Sequence, residues 1–353
     1  MAKEEKKAKG KEQDFSADYK GKPFQRVVGI DVANSTIKSW TDGNQSMSYR
    51  NTVKVINDAG LVYSFKTDYQ MFVFNKEVYE VGDITVMGSG GRGKARYNSS
   101  NFKTEAIIGI TKMLGQASGE KIRVVTGVPS ALSKNAAVID EMKRSLVGTY
   151  DVKSVVWDKV ETVAFEIVDV IVVPQPLGTI YSYVHDEKTG QLDQKLLTQR
   201  VLVVDIGWGT TDLAMLESSQ VRGTFGFEIG ASDYIAGVQE ETNNKMPEAN
   251  IFALNAHELD LALLQSPIVE TPFGQFDLGE IAETHKKRQA ENIYKSVMGV
   301  GLEYNKLNKI IITGGGALLY EKYLRDLFAD PRLIIQENAV LSNVHGFYLL
   351  GKY

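Results

Sequence analysis

The sequence predicts an α/β protein built from two related domains, and three observations support this prediction. The chain has 353 residues, which suits about two domains of ordinary size. Short apolar runs alternate with segments whose apolar residues recur at helical spacing, as in sheets covered by helices. A run of apolar residues that ends in Asp occurs at Arg26–Asp31 and again at Arg200–Asp205. The second half of the chain is therefore similar to the first.

The first half opens with the buried strand Arg26–Asp31, and the alternating residues that follow predict an antiparallel meander. A Gly-rich loop interrupts this pattern at Gly88–Lys94. The polar stretch His185–Thr198 is the candidate crossover into the second half. The other elements predicted in the first half are meander strands at Leu61–Phe65 and Gln70–Phe74, helices at Asn101–Leu114, Ser133–Val147 and Leu177–Tyr183, and strands at Lys121–Thr126 and Val163–Val173.

The second half opens with the strand Arg200–Asp205 and has a polar middle that includes a helix at Ser232–Lys245. It closes with a strand at Lys309–Thr313, a turn at Gly314–Gly316 and a helix that runs to about Phe328. Three glycines in a row leave a backbone without side chains, so a flat ring or a ribose can lie against it near a helix N-terminus. The same glycines also fit a plain turn that opens a helix.

Composition narrows the classes of function. A net charge of −4 gives no overall electrostatic reason to bind DNA or an anionic membrane directly. With no Cys, the chain has no disulfide, thiolate metal site or thiol nucleophile, and its four His residues lack metal-ligand spacing. No apolar run reaches the 18 or more residues of a membrane span. The leader Met1–Lys22 lacks the apolar region of a signal peptide, so we expect a disordered charged tail and a cytoplasmic protein.

The repeated segments carry the chemistry. Asp31–Thr36 and Asp205–Thr210 each contain Asp, a small residue two positions on, another four positions on, and Thr five positions on. In a tight hairpin, such small residues let backbone N–H groups approach an anion, and the hydroxyls add donors. An Asp beside a bound phosphate can hold Mg²⁺ through water. One hairpin alone is as well explained as an ordinary turn, but two in register favour a phosphate clamp.

These segments resemble the superfamily of two-domain ATPases that contains actin, the heat-shock chaperones and the sugar kinases. Five elements match in order and span nearly the whole chain from residue 24. They are the phosphate-1 hairpin at Asp31–Lys38, the first connection at Thr126–Pro129, the segment Pro174–Pro176, the phosphate-2 hairpin at Asp205–Asp212 and the adenosine motif at Gly314–Ala317.

The resemblance implies an actin-like ATPase fold, in which two duplicated, ribonuclease H-like domains flank a nucleotide cleft that takes ATP and Mg²⁺. It places domain I at residues 24–195 plus 336–353 and domain II at residues 196–335, after a tail at residues 1–22. Length argues against a chaperone, which needs a further substrate domain, and against a typical, longer sugar kinase.

Within the superfamily, Ile30–Trp40 and the ending Ser342–Gly351 look like the bacterial plasmid-segregation actins of the ParM type. That resemblance implies a slow ATP hydrolase whose subunits form dynamic filaments with Mg·ATP and drive plasmid partition. The implied partners are further copies of the chain and a DNA-binding adaptor protein on a centromere-like plasmid site, with no direct DNA or membrane binding.

Two departures from the family pattern matter. Ala33 replaces the Gly usual in the phosphate-1 hairpin, and Gln175 stands where ParM-type proteins carry Glu. Because an amide can orient a water but cannot take its proton, hydrolysis is expected to be slow. The implied catalytic residues are Gln175, which positions the attacking water, and Asp205, which polarises it or holds Mg²⁺.

The remaining implied site residues follow from the matched motifs. Mg²⁺ would be held by Asp31 and Asp205, and Lys38 would face the terminal phosphates. The polar helix Ser232–Lys245 lies where relatives place adenine and ribose contacts. The nucleotide-binding residues implied are Asp31, Asn34, Ser35, Thr36, Lys38, Gly207, Trp208, Gly209, Thr210, Thr211, Glu241, Lys245, Gly314, Gly315 and Gly316.

Two other classes stay open on the sequence alone. A small-molecule phosphotransferase of the sugar-kinase branch would need a second carboxylate in the cleft as base for the substrate hydroxyl. A cell-shape or division actin often carries an amphipathic membrane segment, and the leader Met1–Lys22 is too polar to serve as one.

Overall fold

The computed structural model describes residues 23–56, 70–82, 94–97, 99–156, 159–186, 189 and 191–353. The leader Met1–Lys22, the predicted strand Leu61–Phe65 and the glycines of the loop Gly88–Gly93 lie outside these residues. The strands are β1 Arg26–Val32, β2 Thr36–Thr41, β3 Gln45–Arg50, β4 Lys54–Ile56, β5 Gln70–Phe74, β6 Glu77–Val81, β7 Ser118–Val128, β8 Gly148–Val156, β9 Lys159–Pro174, β10 Val201–Ile206, β11 Thr211–Glu217, β12 Gln220–Phe227, β13 Ile268–Thr271, β14 Gly274–Asp277, β15 Lys309–Thr313 and β16 Leu333–Ile335. The helices are α1 Lys94–Tyr97, α2 Ser100–Leu114, α3 Ala136–Leu146, α4 Gln175–Val184, α5 Gln194–Leu197, α6 Ala231–Lys245, α7 Ala256–Gln265, α8 Gly279–Met298, α9 Gly315–Phe328 and α10 Ser342–Lys352.

Two mixed sheets form the centre of the molecule. The first has the strand order β3-β2-β1-β7-β9-β8-β5-β6-β4, and the second has the order β12-β11-β10-β15-β16. In each sheet the central strand, β1 or β10, begins an antiparallel hairpin on one side and pairs in parallel with β7 or β15 on the other. That strand in turn pairs in parallel with β9 or β16. The five strands of the second sheet thus repeat the order and directions of β3-β2-β1-β7-β9. The predicted duplication is confirmed at the level of topology.

The central strands are buried because both faces of each sheet are covered. Nearly every residue of β1 and all residues of β10 are buried, which explains why both strands are continuous apolar runs rather than alternating ones. Asp31 and Asp205 stand near the carboxyl ends of these strands. Because parallel strands of an α/β sheet present their carboxyl ends to the ligand crevice, this placement favours a site there.

Most predicted elements are confirmed, with small shifts at their ends. The polar stretch His185–Thr198 contains the short helix α5, because the Asp193 side chain accepts hydrogen bonds from the Lys195 and Leu196 N–H groups and caps it. Gly315 and Gly316 belong to α9 rather than to a turn, and only Gly314, with φ of 85°, precedes the helix. The boundaries of the two domains stay a prediction.

Helices α4 and α10 pack across each other at the junction of the two sheets. Their buried residues, including Ile180 and Phe347, join an apolar cluster that also contains Val203 of β10. The two helices cross at Gly178 and Gly346, where the backbones are so close that a methyl group on either residue would collide with backbone atoms of the other helix. Helix α10 also packs on β1 and β7, so the chain end returns to the first sheet.

Candidate functional site

A cavity of about 620 Å³ opens between the two halves, a size within the range of small-ligand sites. Both repeated hairpins line it, together with the start of α9 on the second half. The charged side chains that line it include the carboxylates of Asp31, Asp205 and Asp212 and the ammonium group of Lys38.

The phosphate-1 hairpin connects β1 and β2, and hydrogen bonds hold its backbone. The Ala33 N–H donates to the Thr36 carbonyl at 3.0 Å. Asn51, beyond β3, fixes the same loop, because its backbone N–H donates to the Ser35 carbonyl at 2.9 Å and its side-chain amide donates to the Ala33 carbonyl at 3.0 Å. The loop therefore keeps a defined shape although Ala33 replaces the usual Gly.

Asp31 is the centre of a polar network on the first half. It stands directly opposite Lys38 in the β1–β2 pair, and the Lys38 Nζ lies 3.0 Å from its Oδ2. Gln175, the first residue of α4, donates from Nε2 to Asp31 Oδ1 at 2.9 Å. A side chain at Gly127 would lie 2.6 Å from the Gln175 Cγ, so the glycine of the first connection makes room for this amide.

Lys38 stays charged in this environment. Burial lowers the pKa of its ammonium group, but the charges of Asp31 and Asp205 and the hydrogen bond to Asp31 outweigh burial and raise the pKa above the ordinary value. A buried, charged ammonium beside the two hairpins is suited to bind an anionic group.

The phosphate-2 hairpin connects β10 and β11 and has a matching closure, with the Gly207 N–H donating to the Thr210 carbonyl at 2.8 Å. The start of α6 braces it, because the Ser232 N–H donates to the Trp208 carbonyl at 2.7 Å. A side chain at Gly230 would collide with the Trp208 backbone, so this contact requires glycine.

Asp205 is buried at the end of β10 and is held by the C-terminal helix. The Asn343 Nδ2 donates to its Oδ2 at 2.6 Å, and the Asn343 Oδ1 accepts from Thr179 of α4 at 2.8 Å. Burial raises the pKa of Asp205 to about 6, although Lys38 and the Asn343 hydrogen bond act in the opposite direction.

Asp212 is a third carboxylate of the cavity. It stands opposite Asp205 in the β10–β11 pair, at the position that Lys38 occupies in the first hairpin. It accepts hydrogen bonds from the Ser130 N–H at 2.7 Å and from the Thr210 hydroxyl at 3.0 Å. The bond from Ser130 connects the first half of the chain to the second.

A salt bridge beside the cavity joins the two halves of the chain. Arg50, at the end of β3, lies 2.5 Å from Asp260 of α7, and both residues line the cavity. One turn earlier in α7, the buried His257 ring packs against the Trp208 ring, with centroids 4.9 Å apart. Helix α7 thus contacts the phosphate-2 hairpin through Trp208 and the first sheet through Arg50.

Two glycines at the start of α9 also border the cavity. Gly315 and Gly316 line it, and a side chain at Gly316 would collide with Ile206 of β10. The Gly314 N–H instead donates to the Ala339 carbonyl at 3.0 Å. Leu318, Leu319 and Val340 add an apolar wall, which suits the flat face of a base.

The structure brings most of the predicted site residues into this cavity. Four do not line it. The Thr211 hydroxyl donates to the Ile229 carbonyl, and Gly314 bonds Ala339 as described. Glu241 and Lys245 pair with each other at 2.7 Å on α6, and Glu241 also lies 2.7 Å from His285. The predicted residues that line the cavity are Asp31, Asn34, Ser35, Thr36, Lys38, Gln175, Asp205, Gly207, Trp208, Gly209, Thr210, Gly315 and Gly316.

Sequence reasoning missed several residues of the site: Arg50, Arg96, Tyr97, Asp212, Asp260 and Asn343. A signal existed for Asp212, because it follows Asp205 at the spacing by which Lys38 follows Asp31. Asn343 lies in the ending Ser342–Gly351, whose resemblance to ParM-type proteins assigned it no role, and the remaining four come from segments without a motif.

The donor set fits a magnesium ion held through water. Among the residues described, no three acidic or His side chains are grouped so as to hold a metal ion by themselves. Asp31 and Asp205 line one cavity, and their oxygens already take part in hydrogen bonds with Gln175, Lys38 and Asn343. Mg²⁺ commonly keeps several waters and binds one or two carboxylates together with substrate phosphates, which agrees with this arrangement.

A duplicated α/β fold with two acid-bearing hairpins facing one cleft defines the class of actin-like proteins. The chain belongs to the actin-like ATPase superfamily. A family model described as the N-terminal domain of actin-like proteins matches residues 29–178, and one described as the C-terminal part of the archaeal actin homologue MreB-like matches residues 203–326. No curated protein sequence matches the chain.

Solved structures agree on the fold. The chain is similar to Ta0583, an archaeal actin homologue, with 18% identity, 92% and 98% of the two chains covered and a TM-score of 0.73. A ParM filament from Clostridium botulinum, described as 15-stranded, gives 18% identity, coverage of 94% and 99% and a TM-score of 0.72. The ParM protein of pSK41 is 18% identical, with 93% of this chain and 97% of that chain covered and a TM-score of 0.66. Ta0583 is also known in complex with ADP.

Among the helices of the described ranges, none combines the length and the apolar character that crossing a bilayer requires.

Proposed function

We propose that this chain is a bacterial cytoplasmic filament protein that binds Mg·ATP between its two domains, polymerises, and slowly hydrolyses the ATP. The observation that carries the proposal is the pair of topologically equivalent hairpins, each ending a buried strand with an Asp, that face one cavity of about 620 Å³. The superfamily and the filament-forming neighbours support it.

We assign a different role in this reaction to each group of cavity residues. The charged Lys38 and the N–H groups of the two hairpins bind phosphate oxygens. Asp31 fixes the Gln175 amide nitrogen, so the Gln175 carbonyl oxygen can accept a hydrogen bond from the attacking water. Asp205, held by Asn343, polarises the water or takes part in holding the ion. Bound Mg²⁺ would neutralise the charge that develops on the phosphates.

A dynamic filament requires that the ATP-bound and ADP-bound forms differ in their affinity for neighbouring subunits. If the ATP and ADP forms differ by a few kcal/mol in affinity for neighbouring subunits, hydrolysis destabilises the polymer. We further propose that the filament segregates plasmid DNA through a DNA-bound adaptor protein. The likeness to the ParM-type sequences supports this part, and the net charge of −4 agrees with an adaptor rather than direct DNA contact.

Sedimentation and light scattering test the filament. At micromolar protein, polymer is expected with Mg·ATP and not with Mg·ADP or without nucleotide. Absence of any nucleotide-dependent polymer would refute the filament proposal.

The catalytic assignment is tested by Gln175→Ala, which removes the amide that orients the water. Phosphate release is expected to fall by about 100-fold, with ATP affinity nearly unchanged. The matched control is Gln194→Ala, at an exposed position of α5 away from the cavity, which should release phosphate at the wild-type rate. Unchanged turnover in Gln175→Ala would contradict the role given to this residue.

A further inference from the structure

A buried ion pair lies behind the phosphate-1 hairpin, and none of the sequence-predicted site residues belongs to it. Arg96 of α1 and Glu105 of α2 are 2.8 Å apart, and their side chains keep only 3% and 2% of their accessible surface. Removing two charges from water costs several kcal/mol per ion, and the attraction between them often fails to recover that cost. The stability of the fold alone therefore does not explain why the pair is buried here.

The second contact of Arg96 connects the pair to the site. Its Nη2 donates to the Val32 carbonyl at 3.0 Å. Val32 ends β1, and the next residue, Ala33, opens the phosphate-1 hairpin. Together with the two bonds from Asn51 to Ala33 and Ser35, this bond fixes the hairpin backbone at its start and in its middle.

Helix α1 also borders the cavity itself. Arg96 and Tyr97 both line it. The Tyr97 ring packs edge-on against Phe102 of α2, with centroids 5.4 Å apart. Asp31 and Asp212 are close enough to Tyr97 for their charges to add to the effect of burial and raise the pKa of its hydroxyl. Because Val32 directly follows Asp31, the bond from Arg96 to the Val32 carbonyl places the guanidinium near the Asp31 carboxylate, where the phosphates of a nucleotide would bind.

We propose that Arg96, oriented by Glu105, is a positioning residue that sets the phosphate-1 hairpin for the terminal phosphates of a nucleoside triphosphate. The inference rests on the proposed nucleotide site and adds a residue to it. A planar guanidinium can donate to a carbonyl and a carboxylate in a fixed geometry, which a Lys ammonium does not reproduce. In this chain, where Ala replaces the usual hairpin Gly, the side-chain bonds to Val32 and Ala33 hold the loop open to an anion.

The decisive variant is the double substitution Arg96→Met/Glu105→Met. Replacing a buried ion pair by apolar residues of similar volume is often neutral or stabilising, so the melting temperature should stay near or above that of the wild type. The hydrogen bond to Val32 is lost, so the dissociation constant for Mg·ATP, measured by calorimetry, should rise by about 10-fold. Adenosine has no phosphate to place, so its affinity should not change.

Arg96→Lys keeps the charge and is the second variant. It is expected to weaken Mg·ATP binding by about 5-fold, with adenosine affinity again unchanged. The matched control is Arg144→Met/Glu141→Met, because that pair is exposed, at 72% and 45%, and lies outside the cavity lining. It should bind both ligands as the wild type does.

The outcomes separate this inference from the proposed function. Wild-type Mg·ATP affinity in either Arg96 variant would overturn the inference while leaving the nucleotide site intact. An equal loss of ATP and adenosine affinity would also overturn it, because a merely structural role predicts that result. If the wild-type protein binds no nucleotide, the proposed function fails first, and the inference fails with it.

Discussion

The salt bridge between Arg50 and Asp260 is predicted to control how fast nucleotide leaves the cleft. Arg50 belongs to the first sheet and Asp260 to α7 of the second half, so a movement that separates the two halves would break their contact. We expect a nucleotide in the cavity to leave by such a movement. Asp260→Ala removes the acceptor and lets Arg50, whose side chain is 25% exposed, turn to solvent.

The magnitude follows from the geometry of the pair. The 2.5 Å contact involves two charged groups, and the Asp260 side chain is 9% exposed, so solvent screens the pair only partly. A hydrogen bond between charged groups contributes about 2 kcal/mol. If the closed form loses about 2 kcal/mol and the open form loses nothing, the equilibrium constant for opening the cleft rises by about 30-fold. The rate of nucleotide release should rise by the same factor.

Stopped-flow release of a fluorescent ATP analogue, chased with excess ATP, measures this rate. The charge-swapped protein, Arg50→Asp/Asp260→Arg, should regain part of the slow release because it restores an attractive pair in the same place. Arg144→Ala, which breaks an exposed pair outside the cavity lining, should release nucleotide as the wild type does. Release within about 3-fold of the wild-type rate in Asp260→Ala would refute the reasoning, since 3-fold is less than 1 kcal/mol.

Three further predictions concern residues that support the site. Asn343→Leu removes the hydrogen bond that lowers the pKa of Asp205, so binding of Mg·ATP measured by calorimetry should weaken by about 10-fold, and binding of ATP in excess EDTA should weaken much less. Gly346→Ala forces a methyl group into the α4 backbone and should lower the free energy of unfolding in urea by about 3 kcal/mol, whereas Gly315→Ala, where the methyl group meets open space, should cost nothing. Burial and the charge of Arg50 lower the pKa of His257 to about 4, so the folded state binds fewer protons than the unfolded state and stability falls as the pH drops below 6.5. Between pH 7 and pH 5 this residue should account for about 2 kcal/mol of loss, and His257→Gln should show a correspondingly smaller change in its urea midpoint.

The parts of the site that sequence reasoning found are local. Asp31 and Asp205 end apolar strands, and the hairpin after each is a short continuous segment, so the repeat was visible without any knowledge of the fold. The same holds for the strand, glycines and helix around Gly315. Local backbone chemistry and burial decide these features.

The missed residues depend on long-range packing. Arg50 meets Asp260 across 210 positions of sequence, and Asn343 meets Asp205 across 138. Neither pair lies within a single motif, because the sheets and helices that bring the partners together are specified by apolar residues elsewhere. For the same reason the sequence could not tell which face of α6 borders the cavity. Glu241 and Lys245, one turn apart, share a face on which they pair with each other.

The crossing of α4 and α10 at Gly178 and Gly346 has a mechanical consequence. Helix α4 carries Gln175, which holds Asp31 of the first sheet, and α10 carries Asn343, which holds Asp205 of the second. Because the two backbones are in direct contact, a rotation between the sheets that keeps this contact must turn about the helix crossing. Gln175 and Asn343, the partners of the two carboxylates, both belong to the crossing helices. In the proposed filament, a force on either sheet would therefore reach both acidic groups together.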